Sequence, residues 1–158
     1  MDRKGYIFKL VGFWAGLLVL HYAYEFFPIL PFKLFSGIDE SFFQPAKVAF
    51  FGYLAVNLVE YLVRRRRPAG EGGIENVESF AFSRLFSSII LPWFIFIVWF
   101  AAAAFYGRLP TVFLEILYSN IALLLAGTCV LVMENSMESI AYSRGFEAVI
   151  LVLFVLSV

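Results

Sequence analysis

Apolar residues in this chain do not alternate with polar ones; they run on in five long stretches that few ionisable side chains interrupt. A helix crossing about 30 Å of hydrocarbon needs roughly 20 mostly apolar residues. Residues 6–27, 41–63, 80–106, 111–133 and 140–158 meet or approach that length. In lipid every backbone N–H and C=O must be satisfied internally, so each stretch is predicted to be a helix.

Boundaries follow from the residues between the runs. Pro28 closes the first and Pro31 follows it, so 28–37 is predicted as a turn or interfacial segment, and 28–40 as a candidate re-entrant loop. Ser41, with Gln44 three residues on, is a capping box for the second run, and Pro45 falls in its early turns. Pro92 is expected to kink the third, with its freed carbonyl satisfied by neighbouring helices. Thr111, after Pro110, is an N-cap for the fourth. The fifth is short and carries Arg144 and Glu147 near its start. Residues 64–79 combine four arginines with Gly70, Gly72, Gly73 and several carboxylates, and read as a flexible loop. Met1-Asp2-Arg3-Lys4 before an apolar run resembles a secretory signal, but no small-x-small cleavage site follows, and a retained first helix is expected. No internal repeat supports a transporter built of inverted halves.

Composition identifies the solvent. Of the 158 residues 62% are hydrophobic and 15% charged, against about 45–50% and about 25% in soluble domains. Too few polar residues remain to coat a chain this small in water. The fold class expected is therefore all-α: a single polytopic transmembrane bundle of about five spans. A formal charge of zero gives no reason to expect a nucleic-acid partner. Cys129 is the lone cysteine and excludes an intrachain disulfide, while His21 is the lone histidine and excludes any metal site needing two. No metal site is expected, no cofactor can be identified, and no phosphate loop, H-E-x-x-H or G-x-S-x-G signature is present.

Basic residues in short loops set orientation. Arg3, Lys4, Arg64, Arg65, Arg66, Arg67, Arg84 and Arg144 fall on one side, against Lys33, Lys47 and Arg108 on the other. This places the N-terminus in the cytoplasm and the C-terminus outside, in a cell membrane.

Ionisable groups within a bilayer are expensive, so each needs a partner, a wet cavity or a task. His21 and Glu25 share a face of the first helix with Tyr24 beside them. Either they handle protons or ligand, with Glu25 orienting His21, or they clasp neighbouring helices. Asp39, Glu40 and Ser41 open the second helix and Lys47 follows; carboxylates offset the helix dipole and Lys47 can snorkel. With His21, Tyr24 and Glu25, Glu40 and Lys47 are expected to line an outward-facing polar pocket. A second polar cluster comprises Asn57, Glu60, Tyr61, Glu134 and Glu138. Glu60 can pair with Arg64 at four-residue spacing, and the like-charged Glu134 and Glu138 call for relief from the arginines on their side of the membrane. Ser119 and Asn120 are expected to hydrogen-bond between helices. Gly12 and Gly16, in G-x-x-x-G spacing, and Ala101, Ala102, Ala103 and Ala104 form small-residue surfaces for close helix approach, within the chain or toward a second copy or membrane partner subunit.

Those polar elements carry a resemblance. His21-Tyr22-Ala23-Tyr24-Glu25, then Asp39-Glu40-Ser41 with Lys47, then Glu60-Tyr61, resembles an uncharacterised family of small prokaryotic polytopic membrane proteins with an H-[F/Y]-x-Y element and an N-E-S-x-x-E-H-x-K element. The likeness covers about the first sixty residues. Asp39, Gln44 and Pro45 stand where that family has Asn, Glu and His, which puts in doubt any chemistry needing the second histidine. The family implies a membrane protein and points to the same pocket, without naming a reaction.

Three functions are compatible with these residues. The first is binding of a lipid or other hydrophobic molecule in the outward-facing pocket. The second is intramembrane enzymology on a His21–Glu25 acid–base pair, and the third a structural or assembly role.

Overall fold

The structure, a computed structural model, describes residues 3–26, 43–107 and 109–157. It contains helices α1 (Arg3–Phe26), α2 (Phe43–Arg64), α3 (Val77–Tyr106), α4 (Val112–Met137) and α5 (Arg144–Ser157), and no strand among the described residues. Four of them, α1 to α4, are long and apolar enough to cross a membrane.

Local chemistry sets the ends. Thr111 caps α4 as expected, its side chain accepting from the Leu114 N–H at 3.3 Å. Asn76 caps α3, accepting from the Glu78 and Ser79 N–H groups at 2.9 and 3.1 Å, and so starts that helix three residues before the apolar run. Gly107 ends α3 at φ 72°, a backbone that side-chain-bearing residues rarely adopt. α3 continues through Pro92. The Ser143 hydroxyl accepts from the Phe146 N–H at 3.4 Å, so α5 begins at Arg144 rather than at residue 140. Its 14 described residues extend about 21 Å at about 1.5 Å each, and it is not among the four helices long and apolar enough to cross a membrane. The Ser41 cap and the candidate re-entrant loop 28–40 lie outside the described residues.

α1 packs on α2, α2 on α3, α3 on α4 and α4 back on α1, closing an up-down-up-down four-helix ring. Phe13, Tyr53, Leu91, Leu123, Ala126, Val130 and Leu131 fill its centre. Three hydrogen bonds between helices brace it: Tyr6 Oη to the Thr128 carbonyl at 2.8 Å, Trp14 Nε1 to Asn120 Oδ1 at 2.7 Å, and Tyr118 Oη to the Val98 carbonyl. Asn120 thus bonds between helices as expected. Ser119 does not: its hydroxyl donates to the Glu115 carbonyl of its own helix at 2.6 Å. α5 lies outside the ring, parallel to α3, pairing Tyr142 with Phe82, Phe146 with Phe86, and Ile150 with Ile89.

Within the chain, Gly127 and Gly52 are helical glycines with a neighbouring helix against them. A Cβ on Gly127 would sit 3.0 Å from Leu10 Cδ1, and one on Gly52 would sit 3.7 Å from Leu17 Cα. A Cβ on Gly12 or Gly16 would meet nothing within 4 Å. Within the chain, Gly12 and Gly16 therefore open space instead of closing it. Ala101, Ala103 and Ala104 are exposed.

Candidate functional site

Every helix of the ring contributes a charge at one end of the bundle. α1 supplies Lys9, α2 Glu60 and Arg64, α3 Arg84, and α4 Glu134, with Glu138 just beyond its last turn. The antiparallel arrangement makes them meet, because each lies within two or three turns of the helix terminus at that end.

Glu60 and Glu134 are the hubs. Lys9 Nζ donates to Glu60 Oε2 at 2.5 Å and also to Glu134 Oε1. Arg84 donates through Nη2 to Glu60 Oε1 at 2.6 Å and through Nη1 to Glu138 Oε2 at 2.8 Å, with Nε 3.5 Å from Glu134 Oε1. Arg64 joins Glu60 at 3.0 Å and Glu138 at 2.6 Å. Tyr53 Oη donates to Glu134 Oε2 at 2.9 Å. Three cations and three carboxylates cancel formally. Lys9, Arg84 and Glu134 are buried, at 5%, 4% and 1% exposure, where an unpaired charge would be prohibitive. Aromatic faces complete the cage: Arg84 lies 4.0 Å from the Phe80 ring centre and Lys9 5.3 Å from that of Tyr53.

A network this saturated acts as a clasp across four helices. Burial alone would raise the Glu138 carboxyl, but hydrogen bonds from Arg64 and the charge of Arg84 outweigh it and hold the group below the usual carboxylate range. A depressed folded-state pKa contributes stability that is present above the unfolded value, about 4.3 for glutamate, and lost as pH falls through the folded one. The detergent-solubilised protein is therefore expected to lose thermal stability as pH drops below about 4.3, and Glu138→Gln to flatten that decline. Parallel melting curves for the two proteins across acidic pH would contradict the assignment.

Arg64 also donates to the Gly72 and Gly73 carbonyls, both at 3.1 Å, and pulls the α2–α3 loop against the bundle. Within that loop the Glu71 and Gly73 N–H groups both donate to the Pro68 carbonyl at 3.1 Å. A Cβ on Gly73 would lie 2.4 Å from the Arg67 carbonyl oxygen. The loop between α2 and α3 is thus built of tight turns.

Two grooves flank α2. One, of about 1100 Å³, runs between α1 and α2 from Glu71 and Gly72, past Arg67, Arg64, Glu60 and Lys9, to Gly12, Gly16 and Val19. Apart from its charged mouth it is apolar, and Phe8, Val19, Val59 and Val63 on its walls are exposed. The other, of about 750 Å³, lies between α2 and α3 and is lined by Asn57, Tyr61 and Arg84 among apolar side chains. Asn57 Nδ2 donates to Ser88 Oγ at 3.1 Å and to the Arg84 carbonyl at 3.3 Å. Its buried Oδ1 has no partner among the described residues.

Of the second polar cluster, Glu60, Glu134 and Glu138 meet in the clasp. Asn57 turns to α3, and Tyr61 stacks near Phe80 and Arg65. Sequence reasoning does not place Lys9, Tyr53 or Arg84 in that cluster. Of the outward-facing set, His21 is exposed and its ring meets Tyr22 edge-on at 4.9 Å. Lys47 is half-buried on α2. The side chains of Tyr24 and Glu25, and all of Glu40, lie outside the described residues. Among the described residues no group of three or more His, Cys, Asp or Glu could hold a metal ion. Compared with protein-family models, curated proteins and solved structures, the chain matches none.

Proposed function

We propose that this is a multi-pass cell-membrane protein that binds an amphipathic lipid in the groove between α1 and α2, and that the ionic clasp fixes the walls of that groove. The N-terminus and the α2–α3 loop are cytoplasmic in this reading, following the basic residues 64–67. The observation that carries it is the groove itself: apolar along the bilayer, charged at one mouth, and held open where Gly12 and Gly16 leave room. Ligand sites are typically apolar clefts with a few placed polar groups. From Gly5 to Leu20 on α1 the lining extends about 22 Å, longer than the half-thickness of about 15 Å of the hydrocarbon core. An acyl chain fits along it, with its headgroup at the mouth. In this reading the site is at the inner end of the bundle, while the expected outward-facing pocket falls largely on residues outside the described ones.

Native mass spectrometry of the protein released from mild detergent tests this. The wild type is expected to retain one phospholipid, and Gly12→Leu and Gly16→Leu to lose most of it. Their melting temperatures should hold, because added side chains there enter open space. Equal lipid retention in all three proteins would overturn the reading.

A further inference from the structure

The charges left over at the mouth specify a headgroup. Within the clasp Lys9, Arg64 and Arg84 are balanced by Glu60, Glu134 and Glu138, so those groups have no net charge to offer. Arg65 stacks on Tyr61, which lines the α2–α3 groove, its guanidinium carbon 5.8 Å from the ring centre. Two charged residues of the α1–α2 groove remain, Arg67 and Glu71. Both are exposed, and neither takes part in an ion pair among the described residues. The turn between them is fixed by the two N–H groups that converge on the Pro68 carbonyl. One cation and one anion are therefore presented at one opening.

Resting on the lipid-binding reading above, we propose that the groove takes a zwitterionic phospholipid with a primary amine, a phosphoethanolamine headgroup, from the cytoplasmic leaflet. Arg67 donates to the phosphate oxygens, as a guanidinium fork suits. The ammonium donates to the Glu71 carboxylate. A phosphoglycerol headgroup would satisfy Arg67 and its hydroxyls can donate to Glu71, but it brings no cation to pair with that carboxylate. A choline headgroup carries the charge but has no N–H to donate, whereas a primary ammonium has three. Selection for anionic lipid, which four adjacent arginines would otherwise favour, is offset here because Arg64 is consumed by the clasp and Glu71 faces the same opening.

The experiment reconstitutes the full chain in vesicles of equal parts phosphatidylethanolamine, phosphatidylglycerol and phosphatidylcholine with identical acyl chains. Lipid retained after mild extraction is then quantified. Phosphatidylethanolamine is expected to be enriched about fivefold over each of the others, the upper end of what one exposed ion pair contributes. Glu71→Gln should abolish that preference and raise the phosphatidylglycerol share. Arg67→Gln should reduce all three lipids. Retention in bulk proportions by the wild type, with lipid still lost in Gly12→Leu, would overturn the headgroup assignment and leave the groove reading standing. Retention undiminished in Gly12→Leu would overturn the groove reading itself. An unchanged preference in Glu71→Gln would remove Glu71 from the site.

Discussion

Glu134→Ala is expected to destabilise the bundle by about 3–5 kcal/mol, the range for breaking a buried ion pair by removing one partner. Glu134 is 1% exposed and receives Lys9, Tyr53 and the flank of Arg84. Without it Lys9 keeps one carboxylate, Glu60, which Arg64 and Arg84 already share. The three cations then face two carboxylates in a buried site, and the Tyr53 hydroxyl has lost its acceptor. Glu134→Gln preserves an acceptor for Tyr53 and removes only the charge, so it should fall between the wild type and the alanine variant. Restoring neutrality by Lys9→Met with Glu134→Leu should recover much of the loss, because a buried ion pair replaced by apolar side chains of similar volume is often neutral. The readout is thermal unfolding in detergent for the four proteins. Equal melting temperatures for wild type and Glu134→Ala would mean that the clasp bears no structural load.

Gly127→Leu is expected to cost about 1–3 kcal/mol by overpacking, and to do so where α1 meets α4. An added Cβ there lies 3.0 Å from Leu10 Cδ1 and 3.4 Å from Phe13 Cδ1. Leu10 can swing its terminal methyl aside for a single carbon, so Gly127→Ala should be mild. A leucine needs the space that Phe13, 1% exposed, already fills. The pair of helices would have to separate, weakening the Trp14–Asn120 and Tyr6–Thr128 hydrogen bonds on the same interface. Gly12→Leu, elsewhere on α1, is the built-in contrast, identical in volume added and expected to leave stability unchanged. If both variants melt alike, the packing of α1 on α4 is wrong.

The length of the apolar runs makes four helices legible in the sequence, because a bilayer imposes length directly. Four-residue spacing makes the Glu60–Arg64 pair legible, and repulsion between Glu134 and Glu138 points correctly to a basic partner. Lys9 and Arg84 escape notice for a physical reason. Both the lipid-facing and the core-facing sides of these helices are apolar, so periodicity cannot say which way a face turns. In sequence Arg84 belongs to the basic loop margin, yet it lies two turns inside α3. Lys9 sits in the second turn of an apolar helix, where a charge needs a partner, and that is the signal able to reveal the clasp. Gly12 and Gly16 show the same limit. Their spacing fixes that they share a helix face, but not whether a neighbour comes to it. The start of α5 is displaced in the sequence reading because Ile140, Ala141 and Tyr142 are largely apolar but lie before the Ser143 cap.

Photolabelling with a phospholipid carrying a diazirine in its acyl chain, followed by peptide mapping, asks most directly whether lipid occupies the groove. Adducts are expected to concentrate on the groove walls, at residues 12–20 of α1 and 52–63 of α2, and to fall in Gly12→Leu. Labelling spread evenly over the exposed apolar belt of Phe105, Phe113, Leu117 and Val132, and unchanged in that variant, would contradict a lipid site between α1 and α2.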